Sequence, residues 1–354
     1  MDKSSHIFRS IVAATDFSRP ARKALQAAVW TAQRCQASLT VVHAVRDVAG
    51  SLAVIGYGDS WQPTLEEMMN LQDEYRSEGE RRLKALLASQ RSKGMQIESQ
   101  VLTGAPYEEI IRAAGSLSAD LVIVGTRGQS ALKRFLVGST ATRLARACPC
   151  PVWIVRPQQS IELRSILVPL DFSQVSEKAL SLAASLSLAV GAELHLLHVC
   201  DVDDLHMVPP LFDQAAADLE HERRHDRQSA VERLERSLQC CAATHPSASL
   251  HAAQGAPWQV IGSMADKLHA DLVVMGSIGR SGLSGMLIGN TAEKTLHASQ
   301  HSVLIVKPDG FSPPSMLSEA RRALHARGNS HGGATRADES QPAGAGQTEL
   351  SGAR

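Results

Sequence analysis

Several features on which common functional classes depend are scarce in this sequence. Aromatic residues make up only 4% of the 354 residues, so the core must be built mainly from Ala, Val, Leu and Ile. The net charge is zero, with 36 Lys and Arg against 36 Asp and Glu, which removes the electrostatic signature of nucleic-acid binding and of polybasic membrane association. The uncharged apolar stretch between Lys178 and Glu193 is too short to cross a bilayer, and the N-terminus lacks the apolar run of a signal peptide. We therefore expect a soluble cytoplasmic protein that binds neither nucleic acid nor membrane.

Motifs of several enzyme classes are also missing. No Walker A loop, H-I-G-H or S-G-G-x-D-S occurs, which argues against P-loop ATPase, nucleotidyl transferase and ATP pyrophosphatase chemistry. The segment from His221 to His225 matches the H-E-x-x-H signature of zinc proteases, but it lies in a run of charged residues typical of a solvated helix face. We therefore assign no catalytic residue and no metal ligand.

The six cysteines contain no C-x-x-C pair and no partners at zinc-finger spacing. Two short clusters stand out, Cys148-Pro-Cys150 and Cys240-Cys241. We interpret them as reduced thiols that act as small hydrophobic residues, with a redox role as the alternative.

The chain contains one long pattern twice. Three pairs of segments match: Ile11–Ser18 with Ile166–Ser173, Ala119–Gly125 with Ala270–Gly276, and Pro151–Pro157 with Ser302–Pro308. A repeat of this length is a whole domain, so we divide the chain into domains at 1–157 and 160–308. Residues 309–354 are rich in Gly, Ser and Pro without apolar periodicity, and we expect them to form a disordered tail.

Within each repeat, short apolar segments alternate with helical patterns. In the first repeat the predicted strands are 7–14, 38–45, 97–103, 120–125 and 151–156. Their continuous runs of Val, Ile and Leu are typical of strands buried on both faces. Ser18 is the expected N-cap of a helix that continues through Cys35, and Pro106 opens a later helix. This alternation predicts an α/β fold with parallel strands and helices on both faces, whose ligands bind at the carboxyl ends of the strands.

A glycine-rich segment follows the fourth strand of each repeat. The first copy has the spacing G-x2-G-x9-G-[ST], and the second repeats it with Asn290 in place of the serine. Glycine lets the backbone approach a ligand closely, and the last glycine opens a helix whose N-terminal amides favour phosphate. The alternative is that the glycines only form turns and cap a helix. The repetition of the spacing in the context of strand, loop and helix favours a phosphate site.

The chain shares this loop, the aspartates at the strand ends and the G-x-P after the third strand with a known family. It resembles the universal stress proteins (UspA-like) in their tandem two-domain form. The resemblance covers nearly all of residues 5–308. It implies two repeated doubly wound domains, each with a five-stranded parallel sheet of order 3-2-1-4-5. It also implies an intramolecular pseudo-dimer that pairs through the fifth strands, and it leaves homo-oligomerisation open.

The resemblance further implies ATP sites, with adenine near the first-strand aspartate and phosphates on the glycine loop. The first-copy residues are Asp16, Ala44, Gly125, Gly128, Gly138, Ser139 and Thr140. The second-copy residues are Asp171, Val199, Gly276, Gly279, Gly289, Asn290 and Thr291. Because Asn290 departs from the family pattern, we rank the first site above the second.

The sequence therefore predicts an ATP-binding regulator of a stress response, with Mg²⁺ as an optional companion of the nucleotide. Two alternatives stay open. One is a slow ATPase, and the other is a protein-interaction module that uses no nucleotide.

Overall fold

A computed structural model of the chain describes residues 7–48, 64–91, 95–126, 137–200, 213–241, 248–279 and 287–312. Gly128, and the predicted tail from residue 313 onward, lie outside the described residues. The ten strands are β1 Ser10–Ala14, β2 Ser38–Val45, β3 Glu98–Thr103, β4 Leu121–Gly125, β5 Val152–Val155, β6 Ser165–Pro169, β7 Glu193–Cys200, β8 Ser249–Gln254, β9 Leu272–Gly276 and β10 Ser302–Val306. The helices of the described residues are α1 Arg19–Cys35, α2 Leu65–Arg91, α3 Pro106–Ser116, α4 Ser139–Ala147, α5 Gln174–Val190, α6 Asp213–Cys240, α7 Pro257–Lys267 and α8 Asn290–Ala298.

The strands form one sheet in the order β3-β2-β1-β4-β5-β10-β9-β6-β7-β8. Neighbouring strands are parallel except at the centre, where β5 and β10 pair antiparallel with Trp153 opposite Leu304. Each half has the predicted internal order 3-2-1-4-5, but the sheet is continuous rather than divided into two separate five-stranded sheets. The physical reason is that the fifth strands are edge strands whose unpaired main-chain groups satisfy one another.

The core consists mainly of aliphatic residues, as the low aromatic content predicts. Small residues on α1 and α5, such as Ala28 and Ala183, are fully buried and let these helices pack closely on the sheet. All four residues of β5 are buried, and Trp153 is the largest of them. The predicted strands of the first repeat are confirmed, with their ends shifted by up to three residues.

The helix starts follow the expected chemistry. The Ser18 side chain accepts a hydrogen bond from the Ala21 amide at 3.3 Å, and the Ser173 side chain accepts one from the Ser176 amide at the same distance. Pro106 stands in the first turn of α3, where its missing N–H removes no helical hydrogen bond. The two helices with serine caps, α1 and α5, therefore each begin shortly after the first strand of their half.

Two basic side chains at the ends of the central strands reach across to the other half. The Arg156 guanidinium donates to the Leu296 carbonyl in α8 at 2.8 Å. The Lys307 ammonium donates to the Ala145 carbonyl in α4 at 2.6 Å. A cation at a helix C-terminus is favourable because the last carbonyls carry the negative end of the helix dipole. These contacts therefore help to hold the two halves together.

Among the described residues, no helix is long and apolar enough to cross a membrane.

Candidate functional site

The second half contains a cavity of about 700 Å³ at the carboxyl ends of β6, β7 and β9. This is the edge of a parallel sheet at which ligands bind, close to the point where the strand order reverses. The cavity is lined by every site residue predicted for the second copy, namely Asp171, Val199, Gly276, Gly279, Gly289, Asn290 and Thr291. The tertiary structure thus brings together residues that are up to 120 positions apart in the chain.

The glycine after the loop turn lies directly against the aspartate. A Cβ added to Gly279 would lie 2.4 Å from Asp171 Oδ2, a distance that no real side chain tolerates without movement. A Cβ on Gly276 would meet Val175 Cγ1 at 3.1 Å, so this glycine lets β9 approach the start of α5. The two glycines therefore have different roles, since Gly279 leaves room for the Asp171 carboxylate and Gly276 leaves room for the start of α5.

The Asp171 carboxylate is tied to the first turn of α5. Its Oδ1 accepts hydrogen bonds from the Ser173 amide at 3.1 Å and from the Ser173 hydroxyl at 2.6 Å. Its Oδ2 lies against Gly279. The carboxylate is thus held in one orientation at the wall of the cavity, where it can accept hydrogen bonds from hydroxyl or amino groups.

A second part of the cavity wall is the N-terminus of α8. Gly289 is the N-cap and has no side chain to accept hydrogen bonds from the first-turn amides, while Asn290, Thr291 and Ala292 line the cavity. The Gly289 amide donates to the Ser277 carbonyl at 2.6 Å, which ties the helix start to the end of β9. The amides and dipole of such a helix start favour an anion. One part of the cavity wall therefore suits phosphate, and another carries a carboxylate.

The sequence analysis missed a buried hydroxyl at this site. The Ser277 side chain lines the cavity, is 0% exposed and has no hydrogen-bond partner among the described residues. Thr126, which follows the corresponding glycine in the first half, has the same burial and also lacks a partner there. A buried hydroxyl without a partner is costly, so its occurrence in both halves indicates a shared role at the glycine loop. The signal available in the sequence was a hydroxyl residue directly after the first loop glycine in both copies.

A stacked group of three side chains supports each strand-end aspartate. Phe172, directly after Asp171, has φ of 62°, and its ring centroid lies 4.5 Å from that of His198. The Arg233 guanidinium lies 3.8 Å from the centroid of the Phe172 ring, and the His198 ring nitrogen Nδ1 is 2.7 Å from the Leu170 carbonyl oxygen. A phenylalanine with positive φ is strained, and this packing holds it in place.

The first half has the same stack. Phe17 has φ of 66°, its ring centroid lies 4.5 Å from that of His43, and Arg82 lies 4.1 Å from its centroid. The His43 ring nitrogen Nδ1 is 2.8 Å from the Thr15 carbonyl oxygen, and burial lowers the pKa of His43. Both histidines therefore pack against a phenylalanine ring and form a hydrogen bond with a backbone carbonyl.

Comparison with known proteins decides the family. The model of the Universal stress protein family matches residues 7–156 and again residues 162–307. The chain belongs to the universal stress protein family. Two matches to one family model in one chain make it a tandem member.

Curated relatives of this tandem universal stress protein have the same family name. It is 29% identical to Universal stress protein E of Photorhabdus laumondii over 231 residues, which cover 62% of this chain and 72% of the relative. It is 27% identical over 275 residues to a universal stress protein of Mycobacterium bovis, with 76% and 87% covered. A crystal structure of a universal stress protein from Archaeoglobus fulgidus matches with a TM-score of 0.58 at 21% identity and covers 84% of this chain and 98% of that one, which supports the fold alone.

The first half of this universal stress protein places its described site residues at the matching strand and helix ends. Asp16 follows β1, Ala44 lies near the end of β2, and Gly125 ends β4. Gly138, Ser139 and Thr140 are at the start of α4. The Gly138 amide donates to the Thr126 carbonyl at 2.6 Å, as in the second half.

Two details of the first half bear on the predicted roles. Asp16 Oδ1 accepts a hydrogen bond from the Ser18 amide at 3.0 Å. A Cβ on Gly125 would lie 2.7 Å from the Pro20 carbonyl carbon, so the close approach of α1 requires glycine there.

The H-E-x-x-H segment lies on the exposed surface of α6. His221 and His225 are exposed on α6, and no group of three or more His, Cys, Asp or Glu in the described part of the chain is arranged to hold a metal ion. The interpretation as a solvated helix face therefore agrees with the exposure of these two histidines.

Proposed function

We propose that this protein binds ATP at the carboxyl edge of its sheet and that nucleotide binding regulates a stress response. The observation that carries this proposal is the cavity in the second half. Its size lies within the range of roughly 300–1,000 Å³ typical of small-molecule sites. It combines a helix N-terminus that suits phosphate with a carboxylate that suits ribose hydroxyls or the adenine amino group.

The sequence ranked the second site below the first, whereas the described geometry of the second site supports nucleotide binding there. Asn290 replaces the serine of the family pattern, but it lines the cavity at the first position of α8, where backbone amides supply most of the attraction for phosphate. We therefore propose nucleotide binding in both halves. The residues are Asp16, Gly138, Ser139 and Thr140 in the first half, and in the second half the seven predicted site residues that line the cavity. Mg²⁺ can accompany the triphosphate.

We further propose that the repeats at 1–157 and 160–308 work as an intramolecular pseudo-dimer in the cytoplasm. The antiparallel pairing of β5 with β10 supports this, as do Arg156 and Lys307, which each contact the other half. Nucleotide at the two sites would then act on one continuous sheet.

The test begins with the purified full-length protein. Nucleotide released on denaturation is identified by chromatography, and ATP binding to protein stripped of nucleotide is measured by calorimetry. We expect Gly279→Ala to weaken ATP binding in the second half by about tenfold or more, which corresponds to about 1.4 kcal/mol. The added methyl group displaces the Asp171 carboxylate or the loop.

Gly262→Ala in α7 is the matched control, because a Cβ there meets nothing within 4 Å. It should leave ATP affinity unchanged. The proposal is overturned if the protein releases no nucleotide and shows no calorimetric heat with ATP, ADP or AMP while it remains folded.

A further inference from the structure

Cys148 and Cys150 lie between the end of α4 and the start of β5, at the junction of the two halves. Their sulfur atoms are 3.6 Å apart, and both thiols are reduced. Cys148 is fully buried, whereas Cys150 is half-buried. Residues 148–151 belong to neither helix nor strand, so the backbone between the two sulfurs is a bend rather than a regular element. This arrangement places a contacting pair of thiols within reach of a small oxidant from one side.

The buried Lys307 ammonium lies beside this pair. Its Nζ donates to the carbonyls of Ala145 at 2.6 Å, Arg146 at 2.9 Å and Leu287 at 3.0 Å, so all three N–H groups are used. The first two acceptors are in the last turn of α4, immediately before Cys148. Three acceptors match the three donors of an ammonium. Burial lowers the pKa of Lys307 to about 7, and the nearby Cys148 opposes this shift.

The two thiols are not equivalent. The hydrogen bond with Cys150 lowers the pKa of Cys148, and the nearby Lys307 charge acts in the same direction against the effect of burial. The same hydrogen bond, together with burial, raises the pKa of Cys150. The pKa values of the two contacting thiols are therefore moved apart, with that of Cys148 lowered and that of the more exposed Cys150 raised.

We propose that Cys148 and Cys150 are a redox site that a hydroperoxide converts into an intramolecular disulfide, and that Lys307 transmits this change to Leu287 and the start of α8. In the first step ionised Cys148 takes the proton of Cys150, and the Cys150 thiolate formed in this way attacks one peroxide oxygen. The O–O bond breaks, hydroxide leaves, and Cys150 becomes a sulfenic acid. In the second step the Cys148 sulfur attacks the Cys150 sulfur, the S–S bond forms, and the thiol hydrogen leaves with the sulfenic oxygen as water. Each sulfur loses one electron, and the two peroxide oxygens gain one each.

The disulfide requires a local rearrangement that Lys307 can sense. The sulfur separation must shrink from 3.6 Å to the S–S bond length of about 2.05 Å, which moves the backbone at the end of α4. Oxidation also removes the ionisable Cys148 thiol beside Lys307. Because Lys307 shares its donors between α4 and Leu287, it couples that movement to a carbonyl two residues before Gly289, the N-cap of α8.

The other junction between the halves has no such pair. At positions equivalent to Cys148 and Cys150 the second repeat has Ser299 and His301. There the basic side chain is Arg156, which donates to Leu296 in α8. Only one of the two related junctions therefore contains a dithiol.

The test treats the full-length reduced protein with hydrogen peroxide, blocks free thiols and maps tryptic peptides by mass spectrometry. Residues 147–164 form one tryptic peptide, because Pro157 prevents cleavage after Arg156, and it contains only these two cysteines. We expect this peptide to lose the mass of two hydrogen atoms and to recover it with dithiothreitol. Cys240→Ser should behave like the unmodified protein, and Cys150→Ser should form no disulfide in this peptide. The proposal is overturned if the peptide gains oxygen without forming a disulfide. It is also overturned if the thiols of Cys148 and Cys150 stay free when Cys240 is already oxidised.

The role of Lys307 has its own test. Lys307→Met should slow disulfide formation by about tenfold if it removes about one pKa unit of thiolate stabilisation, whereas Lys307→Arg should react at nearly the original rate. Equal rates for the two variants, both shown to be folded by circular dichroism, would exclude a part for the Lys307 charge.

Transmission is measured by hydrogen exchange of residues 287–298 without nucleotide, so that its outcome is independent of ATP binding. We expect several-fold faster exchange after oxidation of the unmodified protein and no change in Cys150→Ser. If a disulfide forms and this exchange does not change, transmission through Lys307 is refuted.

Discussion

The contact between Gly279 and Asp171 allows a quantitative prediction about the stability of the second site. A methyl group on Gly279 would lie 2.4 Å from Asp171 Oδ2, and an ordinary contact requires roughly 1 Å more. Either the loop moves or the carboxylate rotates, and a rotation of the carboxylate weakens its hydrogen bonds with the Ser173 amide and hydroxyl. A hydrogen bond to a charged group contributes about 1.5–3 kcal/mol, so Gly279→Ala should cost about that much.

A double-mutant cycle separates this clash from other effects of the alanine. Asp171→Ala removes the carboxylate that the methyl group would meet, so Gly279→Ala should then cost much less. We expect an interaction free energy of about 1–3 kcal/mol between the two changes. Gly262→Ala, which meets no neighbour, should be stabilising by about 0.5–1 kcal/mol because glycine is unfavourable inside a helix.

The assay is urea unfolding followed by circular dichroism for the four members of the cycle at equal protein concentration. The slope of free energy against urea must be the same in all four for the comparison to hold. If Gly279→Ala costs the same with and without the Asp171 carboxylate, the predicted steric contact does not exist in solution.

Three further predictions concern single side chains. Ser277→Ala should raise the free energy of unfolding by up to about 1 kcal/mol, because it removes a buried hydroxyl without a partner among the described residues. The same change should weaken ATP binding. A loss of stability in urea unfolding with ATP affinity unchanged would contradict the role assigned to this hydroxyl. Burial lowers the pKa of His43, so the unfolded chain takes up a proton first as the pH falls through 6.5 and stability decreases there. His43→Asn keeps a donor for the Thr15 carbonyl and should make the urea midpoint less dependent on pH between 7.5 and 5, whereas an unchanged slope would show that His43 does not contribute. Ser173→Ala should cost about 1 kcal/mol of stability through the lost N-cap of α5, measured by the same unfolding, and a cost near zero would show that the cap is not formed.

Much of the site was predictable because its residues occupy the ends of local patterns. A buried apolar run followed by Asp171 or Gly276 marks the carboxyl end of a strand, and such ends meet at one edge of a parallel sheet. Ser277 and the Phe172 stack were not predictable in the same way. Whether a hydroxyl is buried without a partner, or a phenylalanine is held at positive φ, depends on side chains contributed by distant elements.

The cysteines show the same division. Their spacing in Cys148-Pro-Cys150 was visible in the sequence, where packing was the preferred interpretation and a redox role the alternative. The 3.6 Å sulfur contact and the ammonium of Lys307, which is 157 positions away from Cys150, became visible only in the folded chain.

The sequence by itself determined the repeat, the alternation of strands and helices and the position of the glycine loops, because these depend on composition and periodicity over short distances. Only the tertiary structure decided that β5 and β10 join the halves into one sheet, that Gly279 faces Asp171, and that Lys307 bridges α4 and Leu287. Each of these is a contact between segments that the chain separates widely. No local pattern encodes such contacts, since they follow from how edge strands and buried donors find partners across the whole fold.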